Sequence, residues 1–209
     1  MGDTEAGEGA ERPLVSVLIA AYNRPDELRE TLRSLRGQRY PRLEVLVADD
    51  ASPVPLEPVV RAEWPDARFW RNERNRGYIA NRSLLMREAR GEFLLSLDDD
   101  SSLTEPDAIE RAVERFAREP ELGAIGFLVH EGPEAPGGPP PADPERYVQS
   151  YIGCGHLLRA EMVRQVGTYH DFFEYYGEEG EYALRALGQG WRILLFPQVR
   201  VHHRLSAVG

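Results

Sequence analysis

The chain has 209 residues, with 25 basic side chains against 35 acidic ones and a formal charge of −10. All 25 are arginine, so a Schiff base, the glycine-loop lysine of a nucleoside triphosphatase and a desolvated amine base are all excluded. The acidic balance argues against a general nucleic-acid binder and an anionic-membrane binder, both of which need a basic face.

Short apolar runs then alternate with helical periods, the pattern of a largely parallel sheet covered by helices. Residues 14–21 read as a buried strand, and Asn23-Arg24-Pro25 opens a helix carrying Leu28, Leu32 and Leu35 at i, i+4 and i+7 until Gly37. A second strand covers 43–48, a loop with three prolines covers 51–58, and a short strand covers 68–71. A helix follows over 79–90 with Leu84, Leu85 and Ala89 turned inward, then an apolar strand over 93–97 that stops in acid. Residues 106–118 form a helix with Ile109, Val113 and Phe116 on one face, and 123–130 form a strand. Six prolines and three glycines within 131–146 leave no regular element there, so the segment reads as a mobile loop inside the domain, of a length common among lids. A short helix near Glu161, a helix over 179–187 and strands over 191–196 and 199–202 complete the chain.

The length suits one domain, at roughly 100–200 residues each. Residues 1–12 read as a flexible acidic tail and 13–205 as the domain. The single cysteine, Cys154, excludes an internal disulfide framework and fits a reducing compartment. No apolar run approaches the roughly 20 residues of a membrane span. The expectation is therefore a cytoplasmic protein with no transmembrane segment, at most peripheral to the membrane.

Asp49, Asp50, Asp98, Asp99 and Asp100 all follow the carboxyl ends of expected strands, the edge where open α/β sheets bind ligands. Three carboxylates ending a buried strand are costly unless compensated. A divalent cation, Mg²⁺ or Mn²⁺, shared with a phosphorylated ligand is the simplest compensation; a solvated turn capping the next helix is the plainer one. A calcium loop starting at Asp98 fails, because its sixth and twelfth positions hold Leu103 and Ile109 instead of glycine and glutamate. The run Asp98-x-Asp100-x-Ser102 is also similar to the nucleophile motif of haloacid-dehalogenase-like phosphatases, which makes an aspartyl-phosphate phosphatase one alternative. That motif normally follows the first strand and works with a lysine absent here.

A larger set of segments comes in a telling order: Ala20-Ala21-Tyr22-Asn23-Arg24, Asp49-Asp50, Asn75-Arg76-Gly77 to Asn81, Asp98-Asp99-Asp100, Gly153-Cys154-Gly155, Gly177-Glu178-Glu179-Gly180-Glu181 and His202-His203. From about residue 14 to 204 the chain resembles a family 2 glycosyltransferase of GT-A fold. The resemblance implies a single α/β domain with a Rossmann-like, mostly parallel mixed sheet flanked by helices. It implies a metal-dependent, inverting glycosyltransferase that moves a sugar from a nucleotide-diphosphate donor, UDP being the family's commonest, to a carbohydrate, lipid-linked or small-molecule acceptor.

The roles it implies fall on particular residues. Ala20, Tyr22, Asp50, Asn75, Asn81, Asp98 and Asp99 would line the nucleotide, with Tyr22 stacking on the base, Asp50 accepting from a base imide and Asp98 meeting the ribose. Asp100, with Asp99 beside it, and His203 would hold the Mn²⁺ or Mg²⁺. Gly153, Cys154 and Gly155 would form the donor and acceptor loop. Glu179 stands where the family usually has aspartate and is the expected base, followed by Glu178 and then Glu181. Arg71 and Arg76 are candidates to carry diphosphate charge, and Trp191 with Tyr175 and Tyr176 to line a sugar site. Many relatives continue beyond the last histidine into a further helical or membrane-associating segment, so a nucleotide-sugar binding module without turnover is the second alternative.

Overall fold

The apolar runs become strands β1 (Val15–Ala21), β2 (Leu43–Asp49), β3 (Arg68–Arg71) and β4 (Phe93–Asp98), parallel to one another in the spatial order β3-β2-β1-β4. The computed structural model describes residues 11–170, 172–173 and 175–205; residues 1–10, most of the expected acidic tail, lie outside them. In register, Ala21 lies opposite Asp49 and Ala20 opposite Asp98, so the strands on both sides of β1 end level with it. The chain moves outward from β1 to β2 and β3 and then returns to β1's other side with β4. The carboxyl ends of β1 and β4 therefore frame the switch point at which such sheets hold ligands.

Alternation along β1 feeds two cores. Val15, Val17 and Ile19 pack with α1 (Pro25–Arg36), α2 (Glu57–Glu63) and α4 (Ala108–Ala117) on one face. Leu18 packs on the other with α3 (Tyr78–Glu88), α5 (Ala160–Val166) and α6 (Glu178–Gly188). The leucines of α1 form one stripe, as their spacing requires. Helix α3 is different: its buried residues include Asn81, Arg82 and Ser83 beside Ile79, Leu85 and Met86, so its inward surface is partly polar.

The second half of the sheet departs from the sequence expectation. Segment 153–159 is no mere loop: Gly155–Arg159 forms β8, which lies antiparallel between β4 and β6 (Leu122–Glu131). Its sequence, Gly-His-Leu-Leu-Arg, is too short and too mixed for periodicity to register. Two shorter strands were also not anticipated, β5 (Ser101–Leu103) and β7 (Arg146–Tyr147), each paired antiparallel with β9 (Arg192–His203). The expected loop over 51–58 ends early because α2 begins at Glu57, with Pro58 tolerated in its first turn. The two expected terminal strands are one, since β9 bulges past Pro197 where its register against β6 shifts between Phe196 and Arg200.

Strand β9 carries its end to the aspartates. Ser101 pairs with His203, and the Arg204 N–H donates to the Asp100 carbonyl at 3.1 Å. A buried ion pair fixes the register: Arg200 donates from Nε to Glu105 Oε1 at 2.7 Å, and its backbone N–H to Oε2 at 2.9 Å. The same guanidinium reaches the Gly137 and Gly138 carbonyls. The proline-rich segment is thus tied to the sheet, with further ties from Arg115 to Glu145 and Gln198 to the Asp143 carbonyl.

Gly91 leads into β4 where the chain passes close to the start of β1. A Cβ there would come within 2.6 Å of the Ser16 nitrogen and 2.8 Å of the Leu14 carbonyl. Because backbone cannot yield as a side-chain tip can, Gly91→Ala is expected to cost about 1–3 kcal/mol. Urea denaturation should show a lower midpoint at unchanged slope; an unaltered midpoint would contradict this packing.

Candidate functional site

A cleft of about 680 Å³ opens over the carboxyl ends of β1, β2 and β4, and Tyr22, Asp50, Asp98, Gly153, Glu179 and His203 are among its lining residues. Ala20, Asn75, Asn81, Asp99, Asp100 and Cys154 also line it. One cavity thus gathers residues spread over most of the chain.

The aspartate triplet divides its work. Asp99 turns toward β1: its carboxylate accepts from the Tyr22 N–H at 2.9 Å and from Arg24 at 3.0 Å. Burial raises its pKa to about 7 even so, against the pull of those two donors. Arg24 also lies 3.5 Å from Asp100. Asp98 and Asp100 instead converge with His203, each offering one ligand atom, all within 4.8 Å of one another. Two carboxylates and an imidazole are a donor set that could hold a divalent metal ion. Asp100 is 1% exposed. His203 Nε2 lies 3.2 Å from its Oδ1, and that contact, with a second from Cys154, raises the imidazole to about 10. The buried Cys154 thiol is pushed up by desolvation, which makes it a packed neighbour of His203 and not a nucleophile.

Asp50, Asn72 and Asn81 build one wall. Asp50 accepts from Asn72 Nδ2 at 2.8 Å and from the N–H groups of Arg76 and Gly77 at 2.8 and 2.9 Å. Asn81 joins by accepting from Asn72 at 2.7 Å and donating to the Gly77 carbonyl at 2.9 Å. These bonds fold residues 72–77 into a turn that Gly77 closes at φ +82°, and exposed Asn75 accepts from the Gly77 N–H within it. Asn23 and Ala51, at φ +54° and +61°, hold the loops beyond β1 and β2 in the left-handed region, a strain that concentrates at functional sites.

Across the cleft, Gly177 at φ +94° turns the chain into α6 and delivers Glu178 and Glu179 in its first turn. Both meet Arg82 of α3, whose guanidinium is ion-paired to Asp98, 3.2 Å from Glu178 and 3.4 Å from Glu179. Glu178 is fully buried, whereas Glu179 keeps its side chain partly open to the cleft. Burial raises Glu179 to about 7, opposed by Arg82 and assisted by Glu178. Gly153 leaves room for this pair, because a Cβ there would collide with Glu179 Oε1 and come within 2.6 Å of Arg82, displacing both side-chain ends.

Arg82 is the residue that sequence reasoning missed. The available signal was a charged residue at i+3 from Ile79 and i−4 from Met86, on the inward stripe of α3. Several expectations are also redirected. Glu181 points away as a base, because its carboxylate is held by Arg185 at 2.6 and 2.9 Å. Trp191 packs in the core and donates to Gln165 at 3.0 Å, so it lines no sugar site, while Tyr175 and Tyr176 do line the cleft. Arg71 is taken up by Asp49 and the Ser52 carbonyl, and exposed Arg76 contributes its backbone to Asp50.

The family model for glycosyl transferase family 2 matches residues 16–170, and the chain belongs to that family. It is 30% identical to the O-antigen biosynthesis protein RfbC of Myxococcus xanthus, over 93% of this chain and 18% of that protein. It is 34% identical to the putative glycosyltransferase EpsH of Bacillus subtilis, over 54% and 33% respectively. The chain thus spans well under half the length of these relatives. Its fold matches the mannosyltransferase PcManGT of Pyrobaculum calidifontis at TM-score 0.77 and 22% identity, over 96% of this chain and 59% of that one. It also matches S. aureus TarS 1-349 at TM-score 0.76 and 16% identity, over 91% and 60%. The phosphatase alternative falls with this membership, and its motif would have had to follow β1, not β4.

Removing Arg82 would strand Asp98, Glu178 and Glu179 around an uncompensated site. Arg82→Met is therefore expected to cost about 3–5 kcal/mol, as when one partner of a buried ion pair is removed. Adding Glu178→Gln to it should restore part of the loss, since the interaction is shared. Strictly additive losses in thermal unfolding would show that the two side chains do not couple.

Proposed function

We propose that this member of glycosyl transferase family 2 moves a sugar from a nucleoside diphosphate donor to an acceptor hydroxyl, with inversion at the anomeric carbon. The observation that carries the reading is the opposition, across one cleft, of the Asp98–Asp100–His203 cluster and the Glu179 carboxylate. That two of the similar structures hold GDP-Man with Mn²⁺ and UDP-GlcNAc supports the donor class.

Each group has a task that its surroundings suit. Tyr22 offers a ring face at the end of β1, and the 72–77 turn offers the nucleotide a wall that Asp50 braces. Asp98, Asp100 and His203 would hold Mn²⁺ or Mg²⁺, which when bound neutralises charge on the departing diphosphate as a Lewis acid. Glu179 accepts the acceptor's proton as its oxygen attacks the anomeric carbon from the side opposite the leaving group. Arg82 keeps Asp98 and Glu179 at a set separation, so that base and leaving-group site cannot drift apart. No described helix is long and apolar enough to cross a membrane.

A base must be ionised to work, and burial raises Glu179 to about 7 from its ordinary 4.5. kcat/KM should therefore rise with pH through about 7, while folding, which favours protonated Glu179, loses stability over the same climb from 4.5. Glu179→Gln is expected to lower transfer by about 10²–10⁴-fold while retaining the thermal shift caused by nucleotide. Full transfer by that variant would reassign the base.

For the donor side, thermal shifts with UDP, GDP, dTDP and CDP should appear in Mn²⁺, reaching about 2.7 kcal/mol near 100 times Kd. Asp100→Ala should remove the Mn²⁺ dependence. No shift with any nucleotide would overturn the reading, and binding without turnover would favour the nucleotide-sugar binding module.

A further inference from the structure

Between the base and solvent, the cleft ends in an aromatic rim. Tyr175 and Tyr176 are 68% and 70% exposed, yet both line the cavity that holds Glu179. Exposed rings of this size are informative when they are held in place, and these are. The Tyr176 N–H donates to the Tyr78 hydroxyl at 3.0 Å, and Tyr175 donates from its hydroxyl to that of Tyr176 at 3.3 Å. The Tyr175 ring stands edge-on to Tyr78 at 5.9 Å and to Tyr176 at 4.1 Å. Tyr78 is itself anchored under the Arg82 guanidinium, 4.7 Å from its ring centroid. Tyr176 also holds a backbone φ of +61°, a conformation that a bulky residue keeps only when its surroundings impose it.

We propose that Tyr175 and Tyr176 form the acceptor platform and that the acceptor is a neutral glycan, whose sugar ring lies on a tyrosine face with one hydroxyl directed at Glu179. The inference rests on the transferase reading above and names its second substrate. Three observations carry it.

Position is the first: Tyr176 precedes Gly177, and the next two residues are Glu178 and Glu179, so platform and base share one short, sharply turned segment. The second is ring chemistry. A sugar presents a face of C–H groups that suits the negative face of an aromatic ring, and a rim of hydroxyls that suits the tyrosine tips. The third is charge: Glu131, its side chain 60% exposed, lines the same cleft as the two tyrosines. An anionic acceptor would meet the Glu131 carboxylate at the cleft's edge, whereas a neutral one meets no such repulsion.

The test uses the whole chain with the nucleotide and Mn²⁺ identified by thermal shift. Methyl lactoside, methyl cellobioside, methyl mannobioside and farnesyl phosphate are examined by saturation-transfer NMR and as acceptors. At least one disaccharide should receive saturation on its ring C–H protons and accept sugar. Tyr176→Ala should raise the acceptor KM by about tenfold, one decade of affinity being the scale of one lost stacking face. Donor KM should change far less, and Tyr176→Phe should restore most of the loss. A preference for farnesyl phosphate, no disaccharide binding, or an acceptor KM unmoved by both Tyr175→Ala and Tyr176→Ala would overturn the proposal. Failure of the transferase reading is distinct, because it appears as the absence of any nucleotide shift before an acceptor is added.

Discussion

One buried guanidinium organises this molecule. Arg82 rises from the inward face of α3 and meets Asp98 at the end of β4 and Glu178 and Glu179 at the start of α6. A cation with so little water tolerates burial only with carboxylates around it, and carboxylates buried together tolerate one another only with a cation between them. Each side of the cleft therefore requires the other. The planar fork of arginine can address two directions at once, which an ammonium cannot do with the same fixed geometry; in a chain without lysine the task falls to arginine alone.

The same logic of compensation runs along the triplet. Asp99 is answered by Arg24 and the Tyr22 N–H, and Asp100 by His203 delivered on β9. That delivery is a long-range event. It requires β5 to form directly after the triplet, β9 to bulge past Pro197, and the Glu105–Arg200 pair to lock the register. The histidine's position is thus decided by a strand pairing between residues about a hundred apart in the chain.

Periodicity exposed what is local. The parallel strands β1, β2 and β4 are apolar almost throughout because both faces are covered, and α1 shows its leucine stripe. Strand β8 escaped because its five residues include a glycine, a histidine and an arginine, a composition whose strand character comes from its neighbours. Helix α2 escaped because prolines inside its first turn and just ahead of it look like breakers from the sequence alone. At the site, the acid clusters announced themselves as charge at strand ends. Arg82 did not, since one arginine in a helix ordinarily reads as surface.

The sequence by itself determined the alternation of elements, the placing of aspartates at a sheet's carboxyl edge and the ordered motifs of a family 2 glycosyltransferase, because each is written in spacings of a few residues. It excluded lysine chemistry outright. Only the tertiary structure decided which acid faces which cation. It turned Asp99 toward β1 and Asp98 and Asp100 toward His203, withdrew Glu181 into a pair with Arg185, buried Trp191, and set Arg82 between the two halves of the cleft. Those outcomes depend on where a side chain points after distant elements have packed, and burial is what turns that orientation into energy.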